Sequence, residues 1–186
     1  MQEPLVLGLA GWSGAGKTTL MKNMLPLLVA RGLRVATLKH AHHDFDVDLP
    51  GKDSWEHRRA GAGEVIVCSA RRWVQMRELG DAPEPSLGEL LRKLGPCDLV
   101  LIEGFKQERH LKLEVFRPAL GKAPLYPQDA RIRAVATDAE LPAGHPQVVN
   151  LNDAPAVMAA VLAWAEPLPA LLARLDQSPA IRSGWV

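Results

Sequence analysis

Residues 11–18 read Gly-Trp-Ser-Gly-Ala-Gly-Lys-Thr and match the pattern GxxxxGK[ST] in full. An almost wholly apolar run, residues 5–10, precedes this stretch, and a segment with helically spaced apolar residues, 17–31, follows it. A strand, a glycine-rich turn and a helix form the context in which this pattern binds phosphate. Glycines let successive backbone N–H groups turn toward phosphate oxygens, and the helix N-terminus adds its positive dipole end. The motif therefore predicts a nucleoside triphosphate site at the first strand–helix junction.

The same motif assigns roles to two side chains. Lys17 is expected to reach the β- and γ-phosphates, and the hydroxyl of Thr18 is expected to lie at a bound Mg²⁺. Such a site also needs a carboxylate at the end of a neighbouring buried strand. Residues 98–103 predict that strand, and Glu103 ends it, whereas Asp98 lies ~16 Å away at its start. We therefore expect Glu103 near the metal, with a salt-bridge or capping role as the alternative.

A polar loop, residues 39–48, follows the second predicted strand, which covers residues 33–39. Asp44, Asp46 and Asp48 alternate with apolar residues, so an extended segment would place the three carboxylates on one side, which suits Mg²⁺ or its waters. Contacts with nucleotide or substrate, a transition-metal site that includes the loop histidines, and a solvated polar loop are three interpretations of this segment.

Strands and helices alternate along the rest of the chain. The pattern predicts a hairpin over residues 64–69 and 72–77, and further strands over 111–116, 134–137 and 148–151. Ser86 is expected to cap a helix over residues 87–94, and Asp153 is expected to cap a helix that runs to about Glu166. Pro26 predicts a kink or an early break in the first helix. The pattern predicts an α/β fold with a mostly parallel sheet flanked by helices and additional antiparallel strands. We expect one nucleotide-binding domain over residues 1–166 and a C-terminal tail over 167–186.

Composition excludes several classes of function. With 22 Lys and Arg against 21 Asp and Glu, the formal net charge of +1 argues against non-specific nucleic-acid binding. The apolar stretch 154–165 is shorter than the ~20 residues that cross a bilayer, and the N-terminus lacks a signal-peptide pattern, so we expect a cytoplasmic protein without membrane contact. The two cysteines, Cys68 and Cys97, fit neither a zinc site nor a disulfide framework.

Five segments of the chain are distinctive when taken together: Gly-Trp-Ser-Gly-Ala-Gly-Lys-Thr-Thr (11–19), Lys-His-Ala-His-His-Asp-Phe-Asp-Val-Asp-Leu-Pro-Gly-Lys-Asp-Ser (39–54), Arg-Arg-Ala-Gly-Ala (58–62), Asp-Leu-Val-Leu-Ile-Glu-Gly-Phe-Lys (98–106) and Ala-Val-Ala-Thr-Asp (134–138). Over about residues 5–165, the chain that contains them resembles the MobB family of molybdopterin-guanine dinucleotide biosynthesis adaptors. The stretches 39–54 and 103–106 are more particular to this family than the phosphate-binding motif, which many families share.

The resemblance implies a P-loop NTPase-like protein that binds GTP with Mg²⁺, hydrolyses it weakly and acts with MobA, which transfers GMP to molybdopterin. It also implies a homodimer, to which residues 72–77 and 111–116 are the candidate contributors. Residues 136–138 would recognise the base, because the carboxylate of Asp138 can accept both N–H groups of guanine's Watson–Crick edge. A helix N-cap is the alternative role for Asp138.

The candidate site residues fall into three groups. Lys17 and Glu103 are the candidates for catalysis. Thr18, Asp44 and Glu103 are the candidate metal ligands. The residues expected to contact the nucleotide are Gly11, Ser13, Gly14, Ala15, Gly16, Lys17, Thr18, Thr19, His42, Asp46, Thr137 and Asp138.

Two other classes of protein share part of this pattern. A small-molecule kinase would use the same phosphate-binding motif, with Arg58-Arg59 or Arg71-Arg72 on a lid over the transferred phosphoryl group. An ATP-driven metallochaperone would use the histidine-rich loop, but paired cysteines or a longer histidine tract are expected in that class.

Overall fold

The computed structural model describes residues 3–41, 45–142 and 144–177. The chain divides into two compact units, of which the smaller is Ala41–Pro85 and the larger holds the residues before and after it. The larger unit contains a seven-stranded sheet and the smaller a two-stranded sheet. Within the described ranges, no helix combines the length and the apolar character needed to cross a bilayer.

Over the described residues, the two units contain nine strands and five α-helices. The strands are β1 (Leu5–Ala10), β2 (Val35–Lys39), β3 (Glu64–Cys68), β4 (Trp73–Arg77), β5 (Leu99–Glu103), β6 (Lys112–Phe116), β7 (Ile132–Thr137), β8 (Gln147–Asn150) and β9 (Glu166–Pro167). The helices are α1 (Lys17–Ala30), α2 (Asp53–Arg59), α3 (Leu87–Leu91), α4 (Ala154–Trp164) and α5 (Leu168–Asp176).

The large sheet has the strand order β2-β5-β1-β6-β7-β8, and all neighbours along this path are parallel. β9 adds an antiparallel partner to the first residues of β1. Since parallel strands are joined through helices that cover both faces, β1 and β5 are apolar almost throughout. The predicted α/β fold with a mostly parallel sheet and additional antiparallel strands is confirmed.

Helices pack on both faces of this sheet because successive residues of a strand point to opposite sides. Leu7 and Leu9 of β1 belong to a core cluster that also contains buried residues of α1 and α4. Val6 points to the opposite face of the sheet and belongs to a second cluster, with Leu87 of α3 and Leu171 of α5. The sheet is therefore sandwiched, and its carboxyl edge, where ligands of such folds bind, stays open to loops.

The first helix continues through Pro26 and ends at Ala30, so the predicted early break is wrong. Proline removes one backbone hydrogen bond and costs a helix interior ~3 kcal/mol. Burial of an apolar side chain contributes ~1.5–3 kcal/mol, and α1 buries four of them against the sheet: Leu20, Met21, Met24 and Leu28. Packing therefore outweighs the cost of the proline.

Residues 111–116 were one candidate contributor to a homodimer, and their position in the sheet argues against that role. β6 runs between β1 and β7 inside the parallel sheet. All five of its residues are buried, including Lys112 and Glu114, whose polar groups have partners within the larger unit. A strand with neighbours on both sides has no free edge with which to pair.

The segment expected to be a tail from residue 167 differs in the structure. Glu166–Pro167 form β9, and Leu168–Asp176 form α5, in which Leu171 is fully buried. Arg174 of this helix makes a bidentate ion pair with Glu166, with N–O distances of 2.7 and 2.6 Å. Residues 178–186 lie outside the described residues.

The smaller unit contains α2 and the predicted hairpin, which is confirmed as the antiparallel pair β3–β4, with Glu64 opposite Arg77 and Cys68 opposite Trp73. Helix α2 is preceded by Lys52, whose side chain does not cap it. Ser86 caps α3 in the larger unit with a reciprocal bond to Glu89, as predicted, although α3 ends at Leu91 rather than Leu94.

Candidate functional site

The glycine-rich loop between β1 and α1 has the backbone that the motif predicts. Gly11, Gly14 and Gly16 all have positive φ, at 135°, 81° and 100°. At Gly11 a Cβ atom would also collide with the carbonyl oxygen of Val115 on β6. Both the conformation and the close approach of another strand therefore require glycine there. Along the rest of the loop, Ser13 and Thr19 are exposed and Ala15 is buried.

The ammonium group of Lys17 is folded over its own loop. Its Nζ donates to the carbonyl oxygens of Gly11 at 2.9 Å and Trp12 at 3.0 Å. Burial lowers the pKa of Lys17, the carboxylate of Glu103 opposes this shift, and the charges of Lys106 and Lys39 add to it. The lysine thus sits in a cationic neighbourhood that favours a polyanion such as a phosphate chain.

Thr18 and Glu103 come together at the end of the central strands. Glu103 ends β5 directly beside Leu9 of β1, and its Oε1 lies 3.4 Å from the Thr18 hydroxyl, which donates to it. A hydroxyl and a carboxylate are hard oxygen donors of the kind that Mg²⁺ prefers. The two side chains therefore fit the metal position of a P-loop site. Among the described residues, no group of three or more His, Cys, Asp or Glu side chains is arranged to hold a metal ion.

A tight turn follows Glu103 and explains the Glu-Gly-Phe-Lys motif. Gly104 and Phe105 both have positive φ, at 94° and 50°, and a Cβ at Gly104 would come within 2.8 Å of the Cβ of His40. Positive φ at phenylalanine costs energy, and such strain is common at functional sites. The turn places Nζ of Lys106 5.1 Å from the ring centre of Trp12. Nζ of a second lysine, Lys122, lies 5.8 Å from the centre of the same ring. The ammonium groups of two lysines therefore lie within cation–π distance of Trp12.

Trp12 also ties the P-loop to a distant loop of the larger unit. Its indole Nε1 donates to the carbonyl oxygen of Ala123 at 2.8 Å. That loop is in turn held by the buried carboxylate of Glu114, which accepts from the backbone N–H groups of Leu125 and Tyr126. Burial raises the pKa of Glu114, and the two N–H groups oppose that shift.

The predicted base-recognition segment lies at the same edge, where β7 ends. Thr137 is buried, and its hydroxyl oxygen accepts from the backbone N–H of Ala139 at 3.3 Å. Asp138 is exposed and follows β7 directly. Over the described part of residues 138–146 there is no helix, so Asp138 does not act as a helix N-cap there. The α4 helix is instead capped by Asp153, which accepts from Ala156 N–H at 3.0 Å.

Arg117 is a site residue that the motifs did not indicate. It follows β6, its Nε donates to the carbonyl oxygen of Ala15 at 3.2 Å, and its Nη1 donates to Oδ2 of Asp138. Only the correct placement of β6 beside β1 would have pointed to it, because the residue after a parallel strand belongs to the ligand-binding edge.

Asp46 and Asp48 lie in the smaller unit, and both are bonded within it. Asp46 accepts from Arg58 at 2.7 and 2.8 Å, and this bond holds the pKa of its carboxyl below the usual range. Arg58 also pairs with Asp48, at 3.4 Å, and with Glu78, at 2.8 Å. The candidates His42 and Asp44 lie outside the described residues.

Comparison with known proteins identifies relatives over most of the chain. A family model described as MobB, "Molybdopterin guanine dinucleotide synthesis protein B", matches residues 6–138. A molybdopterin-guanine dinucleotide biosynthesis adapter protein of Escherichia coli (strain K12) is 43% identical over 162 residues, which cover 86% of this chain and 92% of that protein. The protein of the same name from Haemophilus influenzae is 45% identical over 140 residues, or 74% of this chain and 76% of its own length.

Solved structures show the same fold. The crystal structure of a MobB protein homolog from Bacillus stearothermophilus aligns with a TM-score of 0.59 and 28% identity, over 85% of this chain and 95% of that one. The Bacillus subtilis MobB structure, at 21% identity and a TM-score of 0.68, supports the fold alone. With a family model over residues 6–138 and relatives matched over most of their length, the chain belongs to the MobB family.

Proposed function

We propose that this protein is an adapter in molybdopterin-guanine dinucleotide biosynthesis that binds GTP with Mg²⁺ and acts beside the nucleotidyltransferase MobA. The observation that carries the proposal is the P-loop of a MobB-family chain, with Lys17 over the loop and the Thr18–Glu103 pair beside it. Mg²⁺ would be held by Thr18 and Glu103 and would offset phosphate charge. Lys17 would leave its loop carbonyls for the β- and γ-phosphates.

Guanine is the proposed base because the candidate recognition group is a carboxylate, which accepts hydrogen bonds. A carboxylate at Asp138 can accept the N1–H and the 2-amino N–H of guanine together, whereas adenine offers no such pair. The P-loop and Asp138 follow strands of one sheet, β1 and β7, with β6 between them. Phosphate and base contacts made by these residues would therefore lie at one edge of the sheet. The geometry therefore supports a single nucleotide-binding surface.

A kinase function gains no support from Arg58 and Arg59, one of its two candidate arginine pairs. A lid arginine must be available to the transferred phosphoryl group. Arg58 is instead bonded to three carboxylates of its own unit, those of Asp46, Asp48 and Glu78. Arg59 lies over the ring of Trp55, 5.3 Å from its centre. The contacts of these two arginines therefore give no reason to prefer a kinase to an adapter.

Calorimetric titrations with GTP and ATP, each with and without Mg²⁺, test the nucleotide assignment. We expect the protein to prefer GTP, and we expect Lys17→Ala to weaken GTP binding about 10- to 100-fold, because charge-assisted bonds to phosphate are lost. Lys22→Ala is the matched control, since Lys22 is an exposed lysine of the same helix. Near-normal GTP affinity in a folded Lys17→Ala protein would refute the P-loop assignment.

Reconstitution with purified components tests the adapter role. We expect slow GTP hydrolysis by the protein alone, well below the ~1–100 s⁻¹ of kinases, because Lys17 and the candidate metal ligands supply no group that orients an attacking water. GMP transfer to molybdopterin should require MobA and should rise when this protein is added. Transfer by this protein without MobA would make it the transferase and would contradict the proposal.

A further inference from the structure

Arg117 bridges two parts of the nucleotide site that are far apart in the sequence. It is the first residue after β6, the strand that separates the P-loop strand β1 from β7. Its guanidinium bonds to the carbonyl oxygen of Ala15 in the P-loop and to the carboxylate of Asp138 after β7. The side chains of Arg117 and Asp138 are 35% and 31% exposed, so the pair lies at the surface of the site rather than in the core.

The bond to Ala15 acts on the phosphate side of the site. The carbonyl of Ala15 and the N–H of Gly16 belong to one planar trans peptide unit, in which the two groups point in opposite directions. A donor that holds the Ala15 oxygen therefore aims the Gly16 N–H away from the guanidinium. The position of a Cβ on Gly16 would be 3.6 Å from Arg117 Nε, so the guanidinium lies directly against this peptide. Arg117 thus helps to orient one of the loop's phosphate donors.

The bond to Asp138 acts on the base side. Arg117 engages Oδ2 of the carboxylate, which has two oxygens and about four lone-pair sites. Capacity therefore remains on both oxygens for two N–H donors of a base. An exposed aspartate without this partner would rotate freely, and the rotation would have to be stopped when the base binds. Arg117 holds the carboxylate in place before the base arrives.

We propose that Arg117 is a positioning residue that couples base recognition to the P-loop, by holding the Asp138 carboxylate and the Ala15 peptide with one guanidinium. The inference rests on the proposed guanine nucleotide site. Arg117 acts through Asp138 on the choice of base and through Ala15 on phosphate affinity. These two effects are separable, because ATP and GTP share the phosphates and differ in the base.

The test is a set of calorimetric titrations with Mg²⁺-GTP and Mg²⁺-ATP. In Arg117→Met we expect both affinities to fall and the GTP:ATP affinity ratio to fall about tenfold, the effect of one charge-assisted hydrogen bond. Arg117→Lys keeps the charge but offers a single point of attachment in place of a fork, so its ratio should lie between those of the wild type and Arg117→Met. Arg133→Met is the control, because Arg133 is an exposed arginine at the other end of β7.

A double-mutant comparison shows whether Arg117 acts through Asp138. In an Asp138→Ala background, Arg117→Met should leave the GTP:ATP ratio unchanged within about twofold and still weaken both nucleotides through the P-loop. Circular dichroism and the unfolding midpoint show that each variant is folded. A merely structural arginine would change those readings and leave the ratio as it is.

If the wild type prefers GTP, three outcomes would overturn the proposal. A GTP:ATP ratio in Arg117→Met equal to that of the wild type would show that Arg117 has no part in base choice. A higher ratio would show that Arg117 competes with guanine for Asp138. An effect of Arg117→Met on the ratio that persists without Asp138 would show that it acts elsewhere. A wild-type protein without preference for GTP would instead refute the guanine assignment itself, and this proposal with it.

Discussion

Lys17, Thr18 and Glu103 lie at the centre of the candidate site, and each of them has a hydrogen bond within the protein. Lys17 is held by two loop carbonyls, and Thr18 by the carboxylate of Glu103. These bonds are the ones that a phosphate chain and a divalent cation would replace. All three side chains thus have hydrogen bonds within the larger unit.

Replacement of Glu103 by glutamine distinguishes a role in Mg²⁺ binding from a direct role in nucleotide binding. Glu103→Gln keeps the shape of the side chain and removes its charge, so we expect GTP affinity to fall about tenfold with Mg²⁺ and to change little without it. Glu3→Gln, an exposed glutamate before β1, is the control. Calorimetry with and without Mg²⁺ measures the difference. Equal losses under both conditions would contradict a metal role for Glu103.

His110 predicts a dependence of stability on pH. It is fully buried, and neither ring nitrogen has a hydrogen-bond partner within the described structure. Burial lowers the pKa of His110 to about 3. The positive charges of Lys112, Arg131 and Arg174 lower this pKa further, and the negative charge of Asp129 opposes the shift. The unfolded chain, with an ordinary pKa of about 6.5, binds the proton first. The contribution of the neutral histidine is therefore complete above pH ~6.5 and is lost as the pH falls toward ~3.

Urea unfolding at a series of pH values measures this contribution. Between pH 7.5 and 4.5 we expect the wild type to lose about 2–3 kcal/mol more free energy of unfolding than His110→Leu, in which the titrating group is gone. His145→Leu is the control, because His145 is exposed. Parallel pH profiles for the wild type and His110→Leu would show that His110 is not the group responsible.

At the scale of elements, α5 is held by its partners rather than by its own sequence. A helix of nine residues is marginal in isolation, and its two prolines, Pro167 before it and Pro169 in its first turn, make it resemble a tail. Leu171 belongs to the same core cluster as Leu87 and Leu91 of α3. The contact between α3 and α5 therefore completes one face of the sheet.

Truncation of Leu171 tests this contribution. Leu171→Ala removes a fully buried side chain, so we expect a loss of about 2–5 kcal/mol in the free energy of unfolding, with GTP affinity unchanged in the folded protein. Asp176→Ala on the same helix breaks only a surface pair with Arg92 and should cost less than about 1 kcal/mol. Denaturant titrations compare the two. Similar small losses would mean that α5 does not contribute to the core.

At the scale of the whole molecule, the smaller unit leaves large apolar side chains exposed. On one face of its hairpin, Ile66 is 63% exposed and Trp73 65% exposed. Both outer edges of a two-stranded sheet also carry unpaired backbone groups, which invite another strand. This surface supports residues 72–77 as the contributors to the homodimer that the resemblance implies, whereas β6 has no free edge to offer.

A charge on this face should separate the subunits. We expect the wild type to be dimeric and Trp73→Glu to be monomeric, because a carboxylate would have to be buried in the interface. Arg71→Glu, at the hairpin turn, adds the same group at an exposed polar position and should leave the dimer intact. Light scattering coupled to size exclusion gives the masses. A monomeric wild type, or a dimeric Trp73→Glu, would contradict the assignment.

The sequence alone determined the P-loop, the Glu103 strand and the parallel sheet, because each depends on residues that are consecutive or on apolar runs that end at a polar residue. The pairing of Thr18 with Glu103 followed, since parallel strands bring their carboxyl ends to one edge. The sequence pattern was sufficient for these features because each depends on residues that are close together along the chain.

Only the tertiary structure decided the position of β6, and with it the role of Arg117. Alternating polar and apolar residues are the pattern of a half-exposed strand, but Lys112 and Glu114 are buried because Asp129 and the backbone at Leu125 and Tyr126 supply their partners. Those partners lie 11 to 17 residues away. A local pattern shows which residues are polar, but burial depends on whether distant groups satisfy them, and that is settled only when the chain packs.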